Sequence, residues 1–304
     1  MKTTIIEQAK RIIDLRRYKA ENDAINNKVE ALKDEKFKTL YQTYVAKMIE
    51  CAKENRELSA ADNKLKTQYL ARLKELGLSS IEPDYTCKEC GDTGYVDGKY
   101  CVCLKKEINK ILKRDSGFDF LESFDDANFD IFENKEYMQK LYAKMKKWCH
   151  SDFKKTLIYI AGDTGVGKTH LIKCMANELI NLNHIVRFTT SFSMHQDFVK
   201  SYSTRDLDEK NNLLEKYLGV EVLFIDDLGT EIGKYRDITL NYLYQVLNER
   251  KLNKLPTIIT SNLTLDDLKD YYDERISSRI IDKDTAVTVF ISGKDLRLKD
   301  IKNK

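Results

Sequence analysis

The sequence predicts an α/β protein: a mainly parallel five-stranded sheet carrying a phosphate-binding loop, preceded by a helical region and a small cysteine-rich element. Three observations predict it. Residues 162–169, GDTGVGKT, fit the pattern G-x-x-x-x-G-K-[ST] and lie between an apolar run, LIYIA, and a helix-like run, HLIKCMANELI. From about residue 134 onward, short apolar stretches rich in β-branched residues alternate with helical ones. The first 78 residues contain no proline, and their first glycine is Gly77.

The bulk properties agree. A chain of 304 residues suits two domains. Apolar residues make up 42%, with 17 Tyr and 12 Phe, enough for a sizeable core and too many for wholesale disorder. Charged residues make up 33%, above the usual level of about 25%, which a long solvated helical portion would explain. The net charge of +3 demands no polyanionic partner, although a local basic face stays open. The first residues, MKTTIIEQAKRIIDLRR, break their apolar positions with charge and read as neither a signal peptide nor a membrane span. The cytoplasm is therefore the expected compartment, and no membrane association is expected.

Residues 1–80 read as a helical region. Ile5, Ile12 and Leu15, then Leu40, Tyr44 and Met48, recur at helical spacing, and Gly77 suits a helix C-cap. Two readings stay open: a helical domain packed on itself, or an arm that docks on a partner. So much charge with so little obvious core favours docking. Residues 81–115 hold the cysteine-rich element and a basic helix over 105–114. Residues 116–133 read as an aromatic-rich linker, and residues 134–304 as the nucleotide-binding domain. Its strands are expected at 157–161, 185–190, 222–226, 257–261 and 286–291, covered by helices on both faces.

The loop motif matches by chance in about one chain of this length in a hundred. Gly162, Gly165 and Gly167 let backbone N–H groups converge on phosphate oxygens, and the following helix adds its positive end. Lys168 is expected to reach the β- and γ-phosphates of ATP, and the Thr169 hydroxyl to bind Mg²⁺. Asp226 ends the apolar strand VEVLFIDDLG and is placed to hold the magnesium through water. Asp227 is the candidate base that orients the attacking water. It is one methylene shorter than a glutamate, so either hydrolysis is slow or Glu231 assists. Ser261 and Asn262 end the next strand; Asn262 could bond the attacking water or the γ-phosphate, or simply cap a turn. Arg275 and Arg279 lie one helical turn apart in DERISSRII. Within one subunit they would be surface charges; across an interface one could be an arginine finger, worth about 10³ to 10⁵ in rate. Arg297, in GKDLR, is either a phosphate sensor or a solvated side chain.

Four of seven cysteines fall within residues 87–103 as C-x-x-C, a ten-residue gap, then C-x-C. Cys87, Cys90, Cys101 and Cys103 suit tetrahedral Zn²⁺, with the intervening GDTGYVDG as a turn-rich hairpin. A redox pair needs no second pair, and iron–sulfur clusters use other spacings. Four thiolates close the coordination shell, so the zinc is expected to be structural. Cys51, Cys149 and Cys174 read as buried thiols.

Together, GDTGVGKTH, LFIDDLGTE, the TSN turn, ERISSR and GKDLR resemble the bacterial replicative helicase loaders, the DnaC/DnaI type of AAA+ ATPase, over about residues 85–304. The segment YTCKECGDTGYVDGKYCVCL is similar to the zinc-binding element of Gram-positive and prophage loaders. The resemblance implies that Gly162, Asp163, Thr164, Gly165, Val166, Gly167, Lys168, Thr169 and His170 surround the nucleotide. It implies that Asp226 and Asp227 are the Walker B pair, Asn262 sensor 1, Arg279 the arginine finger with Arg275 beside it, and Arg297 sensor 2. It further implies little or no helical lid, and self-association through AAA+ interfaces. The implied partners are a hexameric replicative helicase, gripped by the N-terminal region, and single-stranded DNA, for which Lys200 and Tyr202 are candidate contacts. The nearest alternative is an IstB-like ATPase that regulates a transposase; it shares the Walker motifs and TSN turn, and the four cysteines count against it. A nucleotide-binding switch with negligible hydrolysis is the other. A replication initiator fits less well, because no helix-turn-helix is expected after residue 292.

Overall fold

The computed structural model describes residues 5–116, 122–231 and 235–297. Two compact units are distinguished: Ala9–Leu104, and the chain from Lys105 on together with the residues up to Gln8.

The first unit contains three helices, α1 (Ile5–Ala31), α2 (Glu35–Lys53) and α3 (Ala60–Glu75). Their ends are set by local chemistry. The Asp34 carboxylate accepts from the Phe37 N–H at 2.7 Å and caps α2. Ser59 and Asp62 form a reciprocal capping box at the start of α3. At its end the Leu78 N–H bonds the Leu73 carbonyl and the Gly77 N–H the Lys74 carbonyl, with Gly77 at φ 73°. That pattern needs a left-handed residue at the position after the cap, which glycine adopts without strain. Ala31, Phe37, Tyr44, Tyr69 and Leu73 form the core between these helices. Arg72 then locks α3 to the start of α2 through two bonds to Asp34, at 3.0 and 2.6 Å.

α1 carries two apolar faces. Ala9, Ile13, Ala24 and Ala31 are buried, whereas Leu15, Tyr18, Ile25 and Val29 are between 58% and 64% exposed. At 100° per residue the two groups lie on nearly opposite sides. The buried face is mostly alanine, and the larger apolar residues of the helix face outward.

A hairpin of β1 (Tyr95–Val96) and β2 (Lys99–Tyr100) follows, turned by Asp97 and Gly98 at φ 49° and 74°. Two positive φ values define the tight turn that Asp-Gly favours. α4 (Val102–Ser116) contains the expected basic helix.

In the second unit, a 3-10 turn (Phe129–Ile131) and α5 (Lys135–Cys149) lead into β3 (Leu157–Gly162), α6 (Lys168–Asn181), β4 (Val186–Thr190), α7 (Ser191–Ser203), α8 (Leu207–Leu218), β5 (Val222–Leu228), α9 (Arg236–Leu252), β6 (Thr257–Ser261), α10 (Leu265–Tyr271), α11 (Glu274–Ile280) and β7 (Ala286–Ile291). The five long strands form one parallel sheet in the order β4-β5-β6-β3-β7. This is the AAA+ P-loop architecture, with the loop strand inside the sheet and β6 between it and the carboxylate strand. Ile158, Ile160, Phe188, Phe224 and Ile258 pack with α5 and α6. The alternate residues Tyr159, Leu223, Ile225 and Ile259 are also fully buried. Both faces are therefore covered, which explains the nearly unbroken apolar strands. Arg250 on α9 is fully buried and donates to the carbonyls of Tyr217, Val220 and Pro256 and to the Thr257 hydroxyl, tying the entry ends of β5 and β6 together.

Among the described residues no helix is long and apolar enough to cross a membrane.

Candidate functional site

The phosphate loop joins the buried strand β3 to α6. Gly162, Gly165 and Gly167 have φ values of 154°, 80° and 96°. A Cβ built on Gly162 would lie 2.0 Å from the Ile291 carbonyl oxygen, so β7 can pass this close only to a glycine. Asp163 and Thr164 are exposed at the mouth, and Val166 is buried beneath the loop.

Lys168 is buried, and its Nζ donates to the Gly162 carbonyl, the Asp163 carbonyl and Asn262 Oδ1, each at 2.7 Å. Burial lowers its pKa, opposed by Asp227, Asp226 and Asp163. Strand order makes the Asn262 contact possible: β6 lies beside β3, so the TSN turn ends next to the loop. The Thr169 hydroxyl lies 3.2 Å from Asp226 Oδ1, and Thr260 of β6 donates to the same oxygen. Burial raises the pKa of Asp226, reinforced by the charge of Asp227. A carboxylate buried this way, with a hydroxyl beside it, fits a hard cation such as Mg²⁺.

Asp227 is half-buried with φ 56°, at an irregularity of the β5–β6 register between Ile225 and Leu228. Its N–H donates to the Thr260 hydroxyl, and its carbonyl accepts from Ser191 and Thr230. These bonds hold a non-glycine residue in a left-handed conformation, a kind of strain that gathers at functional sites. Glu231 is buried: one carboxylate oxygen accepts from the Gly229 N–H at 2.8 Å and the other from the Tyr272 hydroxyl. Both its oxygens are thus engaged. Ser261 bonds the Leu228 carbonyl and the Leu263 N–H, shaping the turn that presents Asn262.

His170 turns toward α5. Its Nδ1 lies 2.9 Å from the Tyr142 hydroxyl and 3.7 Å from the Cys174 sulfur, and burial lowers its pKa. Phe129 and Phe132 pack around Tyr142, and a Cβ on Gly167 would come within 3.0 Å of the Phe132 ring.

Arg279 is held by its own subunit. Its guanidinium lies 4.2 Å over the Tyr244 ring and bonds the Tyr244 hydroxyl, Asn248 Oδ1 and the Arg275 carbonyl. Arg275 is exposed and paired with Asp273. Arg297 is paired with Asp295. Lys200 forms an ion pair with Glu209 at 3.0 Å, and Tyr202 is exposed on the same helix. The structure therefore brings Lys168, Thr169, Asp226 and Asn262 together, and leaves Arg275 and Arg279 on α11, bonded away from that group.

Sequence reasoning missed Thr260, Phe132, Asp295 and the Tyr244–Asn248 pair. Thr260 and Asp295 left a signal, standing in the TSN and GKDLR runs. The others act through contacts distant in the chain.

A second constellation lies in the first unit. The sulfurs of Cys87, Cys90, Cys101 and Cys103 all lie within 4.8 Å of one another, with Cys87–Cys101 at 3.7 Å and Cys90–Cys103 at 3.4 Å. Tetrahedral zinc with sulfur at about 2.3 Å sets its ligands about 3.8 Å apart, so the donor set fits that metal. Buried Asp92 accepts from the N–H groups of Thr86 and Cys87 and fixes the first turn. At Cys90 burial is outweighed by hydrogen bonds from the Gly94 backbone and the other cysteines, which lower its thiol to about 7, whereas burial pushes the Cys101 thiol up to about 11 and Cys103 higher still. A coordinated metal reverses that preference, because bound thiols are deprotonated.

The family profile described as IstB-like ATP binding protein matches residues 109–303. The chain belongs to this ATP-binding family. It is 32% identical over 236 residues to the phage-like element PBSX protein XkdC of Bacillus subtilis, across 69% of this chain and 83% of XkdC. Among solved structures, AMPPCP-bound DnaA from Aquifex aeolicus aligns at 24% identity with a TM-score of 0.48, over 60% of this chain and about half (55%) of that one. A crystal structure of DnaI aligns at 24% identity with a TM-score of 0.45, over 59% of this chain and 92% of that chain. The family makes this an ATP site, for which Mg²⁺ is the expected counter-ion.

Proposed function

We propose that this member of the family is an ATP-dependent loader of a hexameric replicative helicase onto single-stranded DNA. The observation that carries the reading is one chain holding two things: a built nucleotide site, and a helical, four-cysteine unit whose α1 keeps a long apolar stripe facing out. Contiguous apolar surface of this kind marks a site for a protein partner. The same motifs and the same cysteine segment resemble the DnaC/DnaI-type loaders.

In this reading residues 1–80 grip the helicase, the four cysteines hold a structural zinc, and residues 134–304 bind and hydrolyse ATP. Lys168 carries the β- and γ-phosphates. Thr169 and Asp226 hold Mg²⁺, which neutralises phosphate charge when bound. Asp227 orients the attacking water and Asn262 reports on the γ-phosphate. Arg279 leaves Asn248 and Tyr244 to reach a neighbouring subunit's nucleotide. Hydrolysis is slow, because Asp227 is short and both oxygens of Glu231 are engaged.

The test is the mass of complexes formed with the replicative helicase of the same cell or phage, in ATP, in ADP, and with Arg279→Ala. A complex with the hexamer, weakened by the substitution, is expected. No complex under any nucleotide, with a competent helicase, would overturn the loader reading. A second reading is an IstB-like ATPase that regulates a transposase; the family description itself names ATP binding alone. Capture of a transposase instead of the helicase would establish it.

A further inference from the structure

The segment after β7 returns to the phosphate loop. The Leu296 N–H donates to the Gly165 carbonyl at 3.0 Å. The Asp295 carboxylate covers Gly165 so closely that a Cβ built there would lie 1.8 Å from Asp295 Oδ1. The same oxygen accepts from the Arg297 N–H at 3.0 Å and from its Nε at 3.1 Å, and the other oxygen lies 3.3 Å from Arg297 Nη2. Arg297 remains largely exposed, with 64% of its side chain accessible, against 25% for Asp295. A negative charge thus rests on the loop whose N–H groups must receive phosphate, with its neutralising partner free to swing.

We propose that Asp295 is a positioning and specificity residue: it holds Arg297 at the rim of the phosphate loop and sets how strongly the site prefers a triphosphate to a diphosphate. This rests on the reading of Arg297 as a γ-phosphate sensor. With ADP bound, Arg297 stays on Asp295, and the pair presents little net charge to the phosphates. With ATP bound, Arg297 moves to the γ-phosphate and Asp295 is left uncompensated beside polyphosphate. Like charges held close together repel most where solvent is partly excluded. The exchange therefore costs the ATP state more than the ADP state, and Asp295 moderates ATP affinity.

The test is calorimetric titration of the full chain with Mg-AMPPNP and with Mg-ADP, for the wild type, Asp295→Asn, Arg297→Ala and the double variant. Asparagine keeps the shape and can still accept from the Arg297 N–H, so melting temperature should not move. Asp295→Asn should tighten AMPPNP about tenfold and ADP by less than about threefold, within the usual span of coupling between sites. Arg297→Ala should weaken AMPPNP more than ADP, and adding Asp295→Asn should recover part of the ADP loss. An unchanged AMPPNP-to-ADP ratio in Asp295→Asn, with wild-type binding intact, would overturn this inference alone. Arg297→Ala without effect on AMPPNP would overturn the sensor reading and the inference with it.

Discussion

The two units place their chemistry in opposite ways. In Ala9–Leu104 the four cysteines lie within residues 87–103, and tight turns at Asp92 and at Asp97–Gly98 bring them together. In the unit from Lys105 on, Lys168 at the start of α6, Asp226 on β5 and Asn262 just after β6 meet only because the sheet places them side by side. The difference bears on what each site needs in order to fold. Lys168 has three acceptors within the protein, and Thr169 and Thr260 contact Asp226, so the polar groups of the phosphate site are paired with one another. The four thiols, of which Cys101 is buried and the others half-buried, face mainly one another, a donor set that a cation would complete.

Metal removal should break that comparison most visibly. Chelation at neutral pH, or Cys90→Ser, should strip one zinc per chain. It should unfold or strongly destabilise the Ala9–Leu104 unit, since structural zinc contributes on the order of 10 kcal/mol to small metal-dependent folds. Nucleotide affinity should change little. Metal analysis with thermal melting checks this; an unchanged melting curve after complete zinc loss would reverse the assignment.

Lys168→Ala is the converse experiment. It should weaken ATP binding or turnover by about 10² to 10³, as expected for loss of a preorganised charge donor, with the fold retained. Fluorescent-nucleotide titration beside circular dichroism separates the two effects. Collapse of the fold would mean that the buried lysine is structural first.

The exposed stripe of α1 sharpens the comparison further. Leu15→Glu with Ile25→Glu should change stability by less than about 0.5 kcal/mol, because both side chains already face outward. Helicase binding should weaken by about 2 kcal/mol or more if the stripe is the contact. Loss of stability instead would show that the stripe is covered within the chain.

The Asp34–Arg72 link titrates. Hydrogen bonds from Arg72 hold the Asp34 carboxyl at about 2, against 3.8 for a free aspartate. A depressed carboxyl contributes stability above its unfolded value and loses it as pH falls through the folded one. Arg72→Met should therefore destabilise the helical unit at neutral pH. The gap to the wild type should close between about pH 4 and pH 2. A gap that persists to pH 2 would point to lost packing. Gly77→Ala should cost about 1 kcal/mol, from forcing a Cβ into the left-handed cap, and thermal melting checks it.

Much of this molecule was legible in its residues. The five strands lie where apolar β-branched runs place them, with β5 extended to Leu228 around the irregular Asp227. Gly77 ends α3, and Asp97–Gly98 turns the hairpin, because each depends on contacts only a few residues apart. The outward face of α1 was less legible. Ile12 and Leu15 supply helical spacing, yet both are exposed, since periodicity shows that a face is apolar and not whether anything covers it.

By itself the sequence determined the phosphate loop, the cysteine turn, the strand positions and the helix caps, all written in interactions between near neighbours. Only the tertiary structure decided that β6 runs between β3 and β5, so that Asn262 meets Lys168 and Thr260 meets Asp226. It alone decided that Arg279 is clamped by Tyr244 and Asn248, and that Asp295 returns to Gly165. Strands buried on both faces carry the same apolar signal whichever neighbour they pair with, so their order is set by packing of the whole domain.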